Sequence, residues 1–149
     1  MSFKSIMIAS DHGGYRLKLE IIPFLESMGI AVIDGGCDSE DSVDYPVYGE
    51  KAAREVVSGQ VDGAIIICGT GIGISIAANR VRGARAAFCH NAEYAKMTRL
   101  HNDSNILALG GRFIDSKTAK EIISVWLKTE YEGGRHEKRI KMLDEIESV

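Results

Sequence analysis

The stretch Ala64-Ile65-Ile66-Ile67-Cys68-Gly69-Thr70-Gly71-Ile72-Gly73-Ile74-Ser75 decides how this chain is read. An apolar, β-branched run of that length predicts a strand buried on both faces, as in a parallel sheet. Three glycines at alternate positions then break the strand, and helix-compatible residues resume from Ile74 to about Val81. A thiol therefore stands where a strand ends, beside a glycine-rich turn that opens a helix. The first N–H groups of a helix have no partner within it, so such a turn suits negative charge on a ligand. That charge belongs either to a phosphate or to an oxyanion formed during a reaction. Two readings of Cys68 are open: a chemical participant, or a small apolar residue closing a strand.

Outward from this stretch, strand-like and helix-like segments alternate along the chain. Ile6–Ala9, Ala31–Ile33, Ala64–Cys68, Ala84–Cys89 and Ile106–Leu109 read as strands. Helices are predicted for Tyr15–Met28, from near Pro46 to Ser58-Gly59, for Ile74–Val81 and Ala92–Leu100, and from Ser116 to about Tyr131. A charged C-terminal helix begins near Arg135, with Ile140, Leu143 and Ile146 as its apolar stripe. Leu17, Ile21, Phe24, Leu25 and Met28 recur at helical spacing in the first helix, and Gly29 fits its C-cap. The expected architecture is one α/β domain over 1–149. It has three layers, α/β/α, around an open five-stranded parallel sheet (Rossmann-like), plus the C-terminal helix.

Composition excludes several classes. With 149 residues, 45% hydrophobic and 26% charged, the chain has the make-up of an ordinary globular domain. A net charge of −3 offers no basic field for nucleic acid. The N-terminus lacks a signal-peptide layout, and no apolar run approaches the roughly 20 residues of a membrane span. Cys37, Cys68 and Cys89 are odd in number and at no metal-like spacing, which predicts reduced thiols in the cytoplasm.

In open parallel sheets, ligands bind beyond the C-terminal strand ends. Asp11-His12 follows the first strand, Cys68-Gly69-Thr70 the third and Arg112 the fifth, so polar groups converge there from separate segments. A neighbouring helix N-terminus favours thiolate, and Gly69, Gly71 and Gly73 permit close backbone approach to a ligand, although tight packing also selects glycine. The spacing Gly69-Thr70-Gly71-Ile72-Gly73 is not a dinucleotide fingerprint, and no Lys-Ser/Thr pair completes a P-loop, so nicotinamide or ATP binding is the weaker option. Asp11 either caps the next helix, with His12 packed beside it, or joins His12 in proton transfer or hydroxyl binding. His101-Asn102-Asp103 has the same ambiguity, since Asn and Asp are frequent in turns. Arg135 and Arg139 share one helix face at a helix start, where the macrodipole prefers anions. A bound phosphate reconciles the two better than a solvated basic face does, because guanidinium forks suit phosphate oxygens.

Ser10-Asp11-His12-Gly13-Gly14, Val43-Asp44-Tyr45-Pro46, Cys68 to Asn79, His101-Asn102-Asp103 and Gly133-Gly134-Arg135-His136 occur together in this order. That combination resembles the type-B ribose-5-phosphate isomerases, relatives of galactose-6-phosphate isomerase, over nearly the whole chain. The resemblance implies interconversion of ribose 5-phosphate and ribulose 5-phosphate in the non-oxidative pentose phosphate pathway, without metal or cofactor. It implies that Cys68 moves the proton between C1 and C2 through an enediolate, with Gly69, Gly71 and Gly73 in the anion hole and Thr70 close to the reacting carbons. His101 matches the group that opens the furanose ring. Asp11, His12 and Tyr45 match sugar-binding or pocket-lining positions, and Asn102, Arg112, Arg135 and Arg139 match substrate or phosphate ligands. Family members are homodimers or dimers of dimers whose pockets are completed by the neighbouring subunit. Two rivals remain at this level: a hexose-6-phosphate isomerase, and a non-catalytic sugar-phosphate-binding regulator on the same sheet.

Overall fold

Two apolar clusters, one on each face of a parallel sheet, organise the chain. The computed structural model describes residues 2–147. In chain order the elements are β1 (Ser5–Ser10), a single helical turn at His12–Gly14, α1 (Tyr15–Ser27), β2 (Ala31–Asp34), α2 (Tyr45–Val57), β3 (Gly63–Cys68), α3 (Ile72–Asn79), β4 (Ala86–Phe88), α4 (Ala92–Asn102), β5 (Ile106–Gly110), α5 (Ser116–Lys128) and α6 (Arg135–Asp144). The strands are all parallel in the order β2-β1-β3-β5-β4. This is the α/β/α arrangement the alternating pattern predicts.

The side-chain period of two explains the clusters. Ile65 and Ile67 of β3, with Ile6, Ile8, Leu107 and Leu109 of its neighbours, face α1, α4 and α5. Ala64, Ile66 and Cys68, with Met7, Ala9, Ile106 and Ala108, face α2 and α3. Every residue of β3 and β5 is buried, which is why their sequences read as unbroken apolar runs rather than as alternation. The second face is built of small residues, Ala52 and Ala53 on α2 and Ala78 on α3, so helices and sheet approach closely. On the first face Trp126 is fully buried, stacks on Phe3 at 4.4 Å and donates its indole N–H to Ser104 Oγ at 2.9 Å. That bond satisfies the polar atom that makes a buried indole costly.

Boundaries differ from the sequence reading in ways with local causes. Helix α3 begins at Ile72 rather than Ile74, because Gly71, at φ +82°, is its N-cap. It ends at Asn79 rather than Val81. Strand β4 shrinks to Ala86–Phe88, since Ala84 is held in a turn by Val81 O and the Arg85 N–H is taken by the Asn105 side chain. Helix α4 continues to Asn102, so His101 and Asn102 lie in its last turn. Helix α5 stops at Lys128, where Thr129 turns extended. Ile146 falls outside α6, and Leu143 and Ile146 are 50% and 67% exposed, so of the predicted apolar stripe only Ile140 is half-buried.

Gly71 carries a stability prediction. A Cβ there would sit 2.7 Å from the Leu109 carbonyl carbon, and the backbone is left-handed. Left-handed backbone alone costs a non-glycine residue about 1–2 kcal/mol. Gly71→Ala is therefore expected to lower the urea unfolding free energy by at least about 2 kcal/mol, and an unchanged midpoint contradicts this account of the turn.

Candidate active site

The ends of β1, β3 and β5 bring one group of the expected residues together. Cys68 closes β3 and pairs in register with Gly110, the last residue of β5. Its side chain is 5% exposed, and its Sγ accepts the Gly71 N–H at 3.2 Å. Thr70 Oγ1 accepts the Ile72 N–H at 3.1 Å, so the turn is held by its own side chains. The thiol thus sits on the donor-rich first turn of α3, where partial positive charge gathers. Cys89 has no such setting: burial pushes its thiol up to about 12, out of reach of chemistry at neutral pH.

Neighbouring segments wall in this turn. Asp11 Oδ1 accepts the Gly13 N–H at 2.8 Å, so the capping reading of Asp11 is realised in the folded chain. Gly13 and Gly14 let that turn press onto β3; a Cβ on Gly14 would meet Ile67 at 2.6 Å. His12 Nδ1 accepts the Val43 N–H at 3.1 Å, which puts the proton of the neutral ring on Nε2 and leaves that atom as a donor. Tyr45 lies against Gly73, where a Cβ would stand 2.7 Å from its ring. Arg112 donates its backbone N–H to Gly69 O at 3.0 Å, and its guanidinium lies 3.1 Å from where a Gly69 Cβ would be. Glycine at 69, 71 and 73 is thus explained by contacts within the chain itself. Asp11, His12, Tyr45, Cys68, Gly69, Thr70, Gly71, Gly73 and Arg112 form one cluster.

His101, Asn102, Arg135 and Arg139 form a second. Asp103 ends α4 in left-handed backbone, φ 44°, held by Arg99 at 2.9 Å and Arg85 at 3.7 Å. Arg99 Nη1 also donates to Ser104 O at 2.6 Å. This network fixes the backbone at the end of α4, the turn that carries His101. Helix α6 starts alongside: His136 stacks on His101 at 4.4 Å, and Arg135 Nη1 approaches Glu132 Oε1 at 3.4 Å. Arg135, Arg139 and Asn102 are exposed.

The chain does not bring the two clusters together. Cys68 stands level with Gly110, whereas α4 ends just before Ile106, at the opposite end of β5. Four residues at about 3.3 Å each put about 13 Å of strand between those levels. A recess of about 860 Å³ near the second cluster is framed by Arg80, Arg82, Arg85, Asn102 and Leu143, well away from the thiol.

His136 is the residue the sequence reading passes over in favour of the flanking arginines. It is 6% exposed, and its Nε2 has no hydrogen-bond partner among the described residues. Burial, then the Arg135 guanidinium and His101, hold its pKa below the ordinary histidine value. The available signal was spacing, since 136, 140 and 143 lie on one helix face.

Known proteins resemble this chain along its length. Residues 6–143 match the family described as Ribose/Galactose Isomerase. Ribose-5-phosphate isomerase B of Escherichia coli is 46% identical over 144 residues, 97% of each chain. Among solved structures, ribose-5-phosphate isomerase B of Clostridium thermocellum superposes with a TM-score of 0.93 at 54% identity, covering 95% of both chains. The Thermotoga maritima ribose 5-phosphate isomerase superposes with a TM-score of 0.93 at 47% identity, covering 95% of this chain and 98% of that one.

Proposed function

This chain belongs to the ribose/galactose isomerase family, and we infer from that membership and its strand-end thiol that it interconverts ribose 5-phosphate and ribulose 5-phosphate. The observation that carries the mechanism is Cys68 Sγ, at the mouth of a parallel sheet, accepting the Gly71 N–H at 3.2 Å. An aldose–ketose isomerase removes a weakly acidic C–H proton and must stabilise the oxyanion that results. Cys68 is the base that carries the proton between C2 and C1. The N–H groups of Gly69 to Gly73 are the donors for the enediolate oxygen, and Thr70 lies beside the reacting carbons. Asp11, His12 and Tyr45 bind the sugar hydroxyls. His101 opens the furanose ring, and Asn102, Arg112, Arg135 and Arg139 hold substrate or phosphate. Anchoring the phosphate away from the thiol lets binding energy position the carbons.

The separation of the clusters supports a site shared between two copies of the chain. Around the Cys68 cluster, Ile72, Ile76, Tyr94 and Phe113 are 52–68% exposed, and so are Met142 and Leu143 of α6 at 58% and 50%. Apolar surface of this extent is a docking face. In a two-fold dimer each contact occurs twice, so two pockets would each take the thiol from one copy and His101 with the arginines from the other. A homodimer, or a tetramer of such dimers, follows. Three free thiols fit the reducing cytoplasm.

A coupled assay on the full chain tests the substrate. Turnover is expected on ribose 5-phosphate, with a higher kcat/KM than on allose 6-phosphate; the reverse order makes the chain a hexose phosphate isomerase. Heat protection by the sugar phosphate without turnover makes it a binding protein. In the same assay, Arg135→Ala is expected to raise KM by about tenfold or more while kcat falls less, because phosphate contacts serve substrate and transition state alike. An unchanged KM removes Arg135 from the phosphate site.

A further inference from the structure

We propose that His101, Glu132 and His136 form a site for a zinc-class divalent ion that, when filled, withdraws His101 from the isomerase reaction. The three side chains come from the last turn of α4, the α5–α6 connection and the first turn of α6. Each offers one ligand atom, and these atoms all lie within 4.8 Å of one another. The connection is pinned to α4 by the Glu132 N–H donated to Leu100 O at 3.2 Å, so the grouping is part of the fold.

The donors match zinc. Two imidazoles and a carboxylate, with a fourth position open, are a ligand set used by three-ligand zinc sites. Imidazole also suits copper and nickel, whereas magnesium and calcium prefer all-oxygen sites. Ligands about 2.0–2.1 Å from a tetrahedral ion stand about 3.3–3.4 Å apart, so groups within 4.8 Å of one another must draw in by up to about 1.5 Å. Glu132 is exposed and His101 half-buried, so both are free to do so.

His136 points to a ligand independently of the cluster. Its Nε2 is buried without a hydrogen-bond partner among the described residues, although Glu132 Oε2 lies 3.5 Å away. A buried polar atom left unsatisfied is destabilising, and a bound cation would satisfy this one. Arg135 competes for the same carboxylate but takes Oε1, leaving Oε2 for the ion.

The inhibitory half rests on the assignment of ring opening to His101, because a metal-bound imidazole has no lone pair left for proton transfer. The binding half does not. Zn²⁺ is titrated calorimetrically into the full chain carrying Cys68→Ser, which removes the active-site thiol as a competing ligand. One ion per chain is expected, with a rise in Tm. Glu132→Gln and His136→Gln, made separately in that background, are each expected to weaken binding by at least about tenfold, the effect that loss of even an outer partner of a metal site produces. No binding, or undiminished binding in both variants, overturns the site. With Cys68 intact, Zn²⁺ is expected to inhibit turnover of ribose 5-phosphate, chelator to restore it, and Glu132→Gln to shift the inhibition by the same factor as the binding. Binding without inhibition leaves the metal site standing and removes His101 from ring opening.

Discussion

Cys68→Ala is expected to lower kcat for ribose 5-phosphate by about 10²–10⁴-fold, the usual contribution of a positioned base. That range corresponds to about 3–5 kcal/mol of barrier. Substrate affinity is expected to change little, because the sugar and phosphate ligands are other residues. The fold should survive: Cys68 closes a strand whose other inward neighbours on that face are Ala64 and Ile66, so loss of one sulfur costs about 1 kcal/mol. Cys68→Ser sharpens the test, since a hydroxyl can still accept the Gly71 N–H yet stays protonated and cannot act as base. Both variants are expected to lose exchange of the substrate C–H proton with deuterated solvent. Loss of binding with single-turnover chemistry intact would mean that the thiol holds substrate rather than moving its proton.

Most of the fold is legible because β1, β3 and β5 are buried on both faces, and such strands announce themselves as unbroken apolar runs. Strand β4, half exposed at the sheet edge, carries a weaker signal, and its sequence reads as a longer strand than forms. The start of α3 and the end of α4 are not legible for a related reason: they are set by left-handed backbone at Gly71 and Asp103, which hydrophobic periodicity does not encode. At the site, identity outran geometry. The motifs name the residues of both clusters, yet nothing in their order says that Cys68 and His101 stand at opposite ends of β5. His136 does not stand out in the sequence because its importance comes from burial against His101 and not from its type.

That separation turns the proposed shared pocket into a quantitative expectation. A chain carrying Cys68→Ala keeps a whole second cluster; one carrying His101→Ala with Arg135→Ala keeps a whole first cluster. Each homodimer is expected to be inactive, because both of its pockets are damaged. In a mixed dimer one pocket draws its thiol from the second chain and its histidine and arginines from the first, and is intact, while the other pocket lacks both. Equal amounts refolded together yield half mixed dimers, each with one of two pockets intact, so activity should return to about a quarter of that of wild type.

The refolded mixture is therefore the measurement to make, with ribose 5-phosphate as substrate and each variant refolded alone as control. Recovery near a quarter of wild-type turnover is expected if the thiol of one copy works with the histidine and arginines of another. A mixture no more active than the sum of its two controls would contradict it.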